Sequence, residues 1–491
     1  MNNTHLKSQN HNTTIQTFAL MTVILLPAVI HAEDAREICN RFVDVERGYS
    51  IVPPSGSEVG VSNMNTTIAR WVKQNDTGAN DWALRLMEAD CKVPTHAVIK
   101  ERVTRRGGIV DAIKSIRIAD RPAFLVTGRI TMPVSKDASG KEIVALLGFN
   151  EAWTTLPKGK TLIISLHTGE DVPKKNVNAI WEEAIGSIRW IDIKKDSRRR
   201  EKAAKAAFHL IHGNQKKSTP SQLTIKTISS VIPIEPRWYT IQNEHRELTG
   251  WLCWIGGKTR KGGKEGIQLN IWSMRQSVAS NKPVMTLYSA FLPNKTEMAF
   301  QRWDQIAQIG EGEGAHLINI TGAQEGDSIM VTASINGKHK RPIQVFIPDV
   351  FKKVYIPYLT SAILPNLLKL SQVDSNEFTF AIHKSESTSF DMRTITADKT
   401  ETVRTFDGDA IQATRYIDRA GMASQATIHW VDDRGRTIQT LRPGGELTRL
   451  TSRDTLLKQY PKAEAIIRQM SKVFKEYQLL QQGMKKKTGS R

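Results

Sequence analysis

Three cysteines in 491 residues are too few for a disulfide-dense scaffold or for a metal site built on several thiolates. No apolar run reaches the roughly 18 residues of a membrane-spanning helix, which excludes a polytopic membrane protein. Acid is short: 49 Asp and Glu face 69 Lys and Arg, leaving a net charge of +20. Familiar catalytic motifs are missing as well. There is no Gly-x-Ser-x-Gly elbow and no His-Glu-x-x-His. Gly257-Lys258-Thr259 has Leu252 where a phosphate loop needs glycine, and a strand pattern follows where that loop needs a helix. Gly310-Glu-Gly-Glu-Gly314 carries acids that repel phosphate. His167, Glu170 and Asp171 read as a polar turn after a strand, not as a metal site. The expectation is a non-enzyme with no cofactor and no metal. Apolar residues at 40% still suffice for folded cores, and the length is about three domains' worth.

The first residues bear on compartment. Residues 1–16 are polar with a single Lys7, Phe18–Ile30 is apolar, and His31-Ala32 precedes the acidic Glu33-Asp34. A short apolar core ending at a small residue is the layout of a secretory signal peptide, here 1–32. As a helix that core reaches only about 20 Å against about 30 Å of hydrocarbon, so no span is expected in the mature chain. Two features depart from the usual layout: the sparse positive charge before the core and the bulky Ile30 near the cut. The chain is expected to be exported, periplasmic or extracellular. In an oxidising compartment Cys39 and Cys91 become a disulfide candidate, a cross-link that would stabilise by about 4 kcal/mol. Two separate buried thiols are the other reading. Cys253, between Trp251 and Trp254, reads as a buried small hydrophobe.

The basic excess is concentrated. Residues 194–217 hold nine Lys and Arg against two acids, residues 466–491 seven against one, and residues 256–266 four against one. Arg198, Arg199, Arg200, Lys485, Lys486 and Lys487 are the candidates for contact with a polyanion or an anionic membrane surface. A solvated linker and tail is the competing reading. Nucleic acid is disfavoured, because aromatic platforms are scarce among these cations.

Residues 33–193 form a first body. Strand patterns occur at Ala123–Thr131, Ile143–Asn150 and Thr161–His167, and Ile109–Ile116 shows a short helical repeat. Val177, Ile180, Trp181, Ala184, Ile185 and Ile188 line one helical face. The opening Arg47-Gly-Tyr-Ser-Ile-Val-Pro-Pro-Ser-Gly56, the strand meander and the closing Ile185-Gly-Ser-Ile-Arg-Trp190 resemble the PsbP-like α/β sandwich. That resemblance implies a fold and a binding or adaptor role, and no catalytic residues.

Residues 194–235 are expected to be a basic linker with a helix over Ser197–His212, Ser197 capping it. Residues 236–460 read as a β-rich second body. Asn336-Gly337 marks a tight hairpin, and a helical stretch over Asp349–Leu370 is interrupted by prolines. The long meander with its single helical break resembles LolA-like half-barrel carriers. Thr427-Ile-His-Trp-Val-Asp-Asp-Arg-Gly-Arg436 resembles the last hairpin of exported proteins of unknown function. Trp251, Trp254, Trp272 and Trp430 are candidates for a ligand groove, with core packing as the alternative.

An amphipathic helix is expected over 461–482, with Ile466, Met470, Val473, Tyr477 and Leu480 as its stripe, before a basic tail at 483–491. It can pack on its own chain, pair with a partner, or lie on an anionic membrane. The expected fold class is α+β: two mainly antiparallel sheet domains, each with a packed helix, the second a strongly curved sheet or half-barrel. The expected function is a secreted or periplasmic non-catalytic binding or scaffold protein of the cell envelope, its ligand or protein partner unknown. The alternatives are a polyanion or anionic-membrane-surface binder through linker and tail, and an enzyme of unrecognised class.

Overall fold

The computed structural model describes residues 34–60, 66–74, 80–136, 142–169, 172–213, 223–276, 282–294, 300–310, 315–371, 373–384 and 389–472. The signal peptide expected at 1–32, Glu170 and Asp171, the part of the expected C-terminal helix beyond residue 472, and Lys485, Lys486 and Lys487 lie outside the described residues.

Residues 34–40 form helix α1. The first body continues with β1 (Phe42–Asp44), β2 (Tyr49–Ile51), β3 (Glu58–Val59), β4 (Thr67–Gln74), β5 (Asn80–Ala89) and α2 (His96–Arg105). Then come β6 (Gly108–Ile118), β7 (Arg121–Lys136), β8 (Glu142–Leu156), β9 (Lys160–Gly169), α3 (Lys174–Gly186) and β10 (Arg189–Trp190). Seven strands pair antiparallel in the order β3-β4-β5-β9-β8-β7-β6. Helix α2, capped by the Thr95 side chain, lays Ile99 and Val103 on Met87, Val126, Trp153 and Ile163. On the opposite face Trp181 and Ala184 of α3 pack with Trp71, Leu84, Leu86 and Ile164. The helical repeat expected over Ile109–Ile116 is instead strand β6. Its ladder shifts register between Val110 and Ala112, and such a bulge turns a period of two into apparent helical spacing.

The second body opens with α4 (Ile193–His212) and α5 (Ile225–Val231). A meander follows: β11 (Arg237–Gln242), β12 (Leu248–Lys261), β13 (Lys264–Gln276), β14 (Pro283–Pro293), β15 (Phe300–Ile309), β16 (His316–Glu325), β17 (Ser328–Ile335), β18 (Lys338–His339) and β19 (Ile343–Phe346). Three short helices interrupt it: α6 (Asp349–Lys352), α7 (Tyr358–Ala362) and α8 (Leu364–Lys369). The chain returns through β20 (Glu377–His383), β21 (Phe390–Arg404), β22 (Ala410–Ala420), β23 (Ala423–Ser424), β24 (Thr427–Asp432), β25 (Thr437–Leu441) and β26 (Leu447–Thr451). Helices α9 (Arg453–Gln459) and α10 (residues 463–472) end the described chain.

All of these strands except β23 join one antiparallel sheet of fifteen, with β17 to β19 at one end and β20 at the other. Residues from both halves of that sheet, such as Leu269, Trp303 and Val331 with Phe380, Ile395 and Tyr416, share one core with α4, α5, α7 and α8. The sheet therefore curls around those helices. It is not closed: at its β20 end the edge residue Ala381 exchanges backbone hydrogen bonds with Val354 and Ile356, just before α7. The expected tight turn at Asn336-Gly337 forms, and a second joins β12 to β13. Asn336 and Gly337 take positive φ of 49° and 77°, and Gly262-Gly263 turns β12 into β13, so most of the basic segment at 256–266 is strand.

One segment differs from expectation. The region at 194–235 is not a bare linker, because Ala206, Ala207 and Leu210 of α4 and Ile228 and Val231 of α5 belong to the inner core. Helix α4 also starts earlier than Ser197: the Asp192 carboxylate caps it by accepting from the N–H groups of Lys194 and Lys195. The described part of the C-terminal helix packs on its own chain, with Ala463 and Met470 against Trp238, Trp251 and Trp272. The bodies are joined by a four-stranded sheet, β10-β2-β1-β23, in which Val43 and Asp44 pair with Ser424 and Ala423.

Inside the curl, Trp303 stands opposite Gly322, and a Cβ added there would meet the indole at 2.0 Å. Gly322→Ala is expected to destabilise the protein by about 2 kcal/mol or more, since overpacking a tight core forces side chains off their rotamers. Urea unfolding checks this; an unchanged midpoint contradicts the packing.

Candidate functional site

The residues singled out in the sequence do not converge. Trp251 and Trp272 share a core with Cys253 beneath α9 and α10, Trp254 leans on the inner core, and Trp430 packs near α1. No tryptophan groove results. Trp251 and Trp254 are three positions apart on a strand of period two, so they leave it on opposite faces. Cys39 and Cys91 are not bonded; all three cysteines are free. Helix α1 carries Cys39 onto the second body, where its thiol donates to the Ala426 carbonyl at 3.0 Å and burial pushes its pKa up to about 12. The Cys91 thiol donates locally to the Val93 carbonyl. Among the candidate cations, Arg199 pairs with Asp196 and Glu377, and Arg200 with Asp196. Arg198 is exposed, and with Lys194, Lys202 and Lys205 it forms a solvent-facing stripe along α4.

The concave face of the large sheet, the natural place for a ligand, is occupied by the chain. Tyr358 of α7 stacks on Trp303 with ring centroids 5.3 Å apart, and Gln301 accepts from the Tyr358 backbone N–H at 2.6 Å. Asn366 of α8 donates to the Gly435 carbonyl at 2.8 Å and to the Thr437 hydroxyl at 2.9 Å. Arg393 of β21 donates to the Ser361 hydroxyl of α7 at 2.7 Å and, through Nε, to Asp418 at 2.8 Å. His429 joins Asp418 at 3.3 Å and the Thr440 hydroxyl at 3.2 Å. Burial alone would raise the Asp418 pKa. The Arg393 charge and hydrogen bonds, helped by His429, outweigh it and hold the carboxyl well below its usual range. Each member of this group has a partner, and the group fastens the helices to the sheet.

A second cluster lies on the α2 face of the first body. Register aligns Arg70 of β4, Arg85 of β5, Ser165 of β9 and Glu151 of β8 in one cross-strand row. Glu151 is buried and accepts four hydrogen bonds: two from Arg106 at 3.0 and 2.9 Å, one from the Trp153 indole at 2.9 Å, and one from the Ser165 hydroxyl at 3.0 Å. His167 Nε2 meets that hydroxyl at 2.7 Å, while its Nδ1 is buried with no partner. Arg85 is half-buried, its Nε bonded to nothing, and among the described residues no carboxylate pairs with it. Burial, with Arg70 and Arg106 adding to it, lowers the Arg85 pKa. Burial also pushes His167 down to about 4; Glu151 opposes this and the three guanidiniums reinforce it.

This cluster was not visible as a motif. Its members are spread from residue 70 to residue 167, and only strand register assembles them. The sequence sets His167 beside Glu170 and Asp171; its structural neighbours are Ser165 and Glu151.

No protein family and no curated protein matches the chain. It is similar in part to a β-barrel-like protein of the domain of unknown function DUF1849 from Brucella abortus, with 9% identity over 45% of this chain and 98% of that one, at a TM-score of 0.32. It is also similar to a protein of Bacteroides thetaiotaomicron VPI-5482, with 9% identity over 38% of this chain and 65% of that one, at a TM-score of 0.21. Likeness at this level carries no inference about fold or activity, and the β-rich architecture stands on the strand ladders themselves.

Two outcomes follow from the clusters. Arg393→Met leaves Asp418 buried without its cation and is expected to destabilise by about 3–5 kcal/mol, with Asp418→Asn in the same chain restoring part of the loss. Equal urea midpoints for wild type and Arg393→Met would contradict this. For His167, the folded value near 4 lies below the ordinary 6.5, so the unfolded chain binds the proton more readily between them. Its contribution to stability is present above pH 6.5 and shrinks as the pH falls, by about 2 kcal/mol from pH 7 to pH 5. His167→Gln is expected to show a correspondingly shallower pH dependence of unfolding; an identical slope rules the account out.

Proposed function

We propose that the chain is an exported, non-catalytic binding or scaffold protein of the cell envelope that holds an anionic ligand on the α2 face of its first body. The observation that carries this reading is Arg85. A half-buried guanidinium among two others and a single, already engaged carboxylate costs stability in the free protein, and an anion offsets that cost. The signal-peptide layout of residues 1–32 supports export. The LolA-like resemblance would put the ligand inside the half-barrel, but there α7 and α8 fill the space, which supports a structural role for that body.

Fractionating the host and weighing the mature chain tests the reading. The protein is expected in the envelope or medium, beginning at Glu33, with a small anion retained in native mass spectrometry. An uncut cytosolic chain, or one that retains no anion and no protein partner, contradicts it.

The α4 stripe supports a second reading, contact with an anionic membrane surface. Replacing Lys194, Arg198, Lys202 and Lys205 with Gln is then expected to abolish sedimentation with phosphatidylglycerol vesicles at low salt. Sedimentation that persists in these variants, or that is unchanged by high salt, excludes this mode.

A further inference from the structure

The hydrogen-bond directions in the first-body cluster narrow the ligand. Both Glu151 oxygens are taken by Arg106, and one of them also receives the Ser165 hydroxyl proton. With its proton committed there, the Ser165 oxygen accepts from His167, so Nε2 carries the imidazole hydrogen and Nδ1 presents a lone pair. That lone pair is buried and unpartnered, on the same strand face as the row that holds Arg85. The site therefore asks two things of one ligand. Negative oxygens must answer Arg85, with Arg70 directly across from it. A hydrogen-bond donor must answer His167.

An oxyanion that keeps a proton supplies both. Hydrogen phosphate does so near neutral pH, and a phosphate monoester does so in its monoanion, which prevails below pH ~6. Sulfate carries no proton there, and chloride has neither oxygen nor donor. We propose that the α2 face of the first body binds a protonated phosphate group, with Arg85 as its cation and His167 as the acceptor of its proton. This rests on the binding reading above and names its ligand. A free phosphate solute and a lipid phosphomonoester headgroup share the chemistry.

Calorimetric titration of the full mature chain with inorganic phosphate, and separately with sulfate, tests the assignment. Phosphate is expected to bind at least about tenfold more tightly than sulfate, and Arg85→Gln to weaken phosphate by about tenfold or more, as loss of a charge-assisted contact does. In phosphate-free buffer Arg85→Gln is expected to melt no lower than wild type. His167→Phe is expected to narrow the preference for phosphate over sulfate. Sedimentation with phosphatidylcholine vesicles that depends on added phosphatidic acid, and is competed by phosphate, assigns the headgroup source. Phosphate binding without such sedimentation assigns the free solute. Equal affinities for phosphate and sulfate, or equal phosphate affinities in wild type and Arg85→Gln, overturn the proposal. Arg85-dependent binding of sulfate or a carboxylate in place of phosphate overturns it and leaves the binding reading standing; no binding of any anion removes both.

Discussion

A long sheet that curls on itself must fill its concave side, and the second body depends on how it does so. Apolar side chains from opposite ends of the fifteen-stranded sheet point inward, where an empty interior would forfeit their contacts. The chain fills the space with α4, α5, α7 and α8. Polar helix ends then lie in an apolar interior, where Gln301 meets the start of α7 and Arg393 its last turn, while Asn366 ties α8 to the turn between β24 and β25. At the β20 edge, Val354 and Ile356 bond to Ala381, which leaves less of that edge open to pairing with another chain. The result is a body whose inside is structure.

Several buried cations of the second body have carboxylate partners: Arg393 has Asp418, and Arg415 is met by Asp398 and by Asp34 of α1, whereas Arg419 donates to the backbone carbonyls of Ile38, Arg41 and Ser424. The Asp34 contact also helps to fasten the N-terminal helix to the second body, beside the backbone bonds between β1 and β23. In the first body the guanidiniums of Arg70, Arg85 and Arg106 gather near Glu151, which Arg106 holds through both of its oxygens. On the α2 face of that body Arg85 is half-buried, and among the described residues no carboxylate pairs with it. The joint between the bodies also fixes where that face sits relative to the basic stripe of α4.

Local chemistry was legible wherever it was local. Asn336-Gly337 read directly because its geometry depends on adjacent residues, and Val177 to Ile188 read as a helix because one face of α3 alone is apolar. Features set by register or tertiary packing did not read. The bulge in β6 imitated a helical period, α2 lacks an acidic first turn to announce it, and the basic start of α4 concealed a buried alanine face. The Cys39–Cys91 candidate failed because α1 crosses to the other body, which no spacing reveals. The candidate site was the least legible part, since opposing Arg70, Arg85, Ser165 and Glu151 requires four strands to be in register first.

The central claim is that the ligand surface is the first body's α2 face and that the half-barrel interior is filled structure. Hydrogen exchange measured by mass spectrometry, with and without inorganic phosphate, tests it most directly. The account predicts slower exchange around Arg85 in β5 and Ser165 to His167 in β9, with residues 348–370 unchanged. Slowing confined to 348–370, with β5 and β9 unaffected, would place the ligand inside the half-barrel and contradict the account.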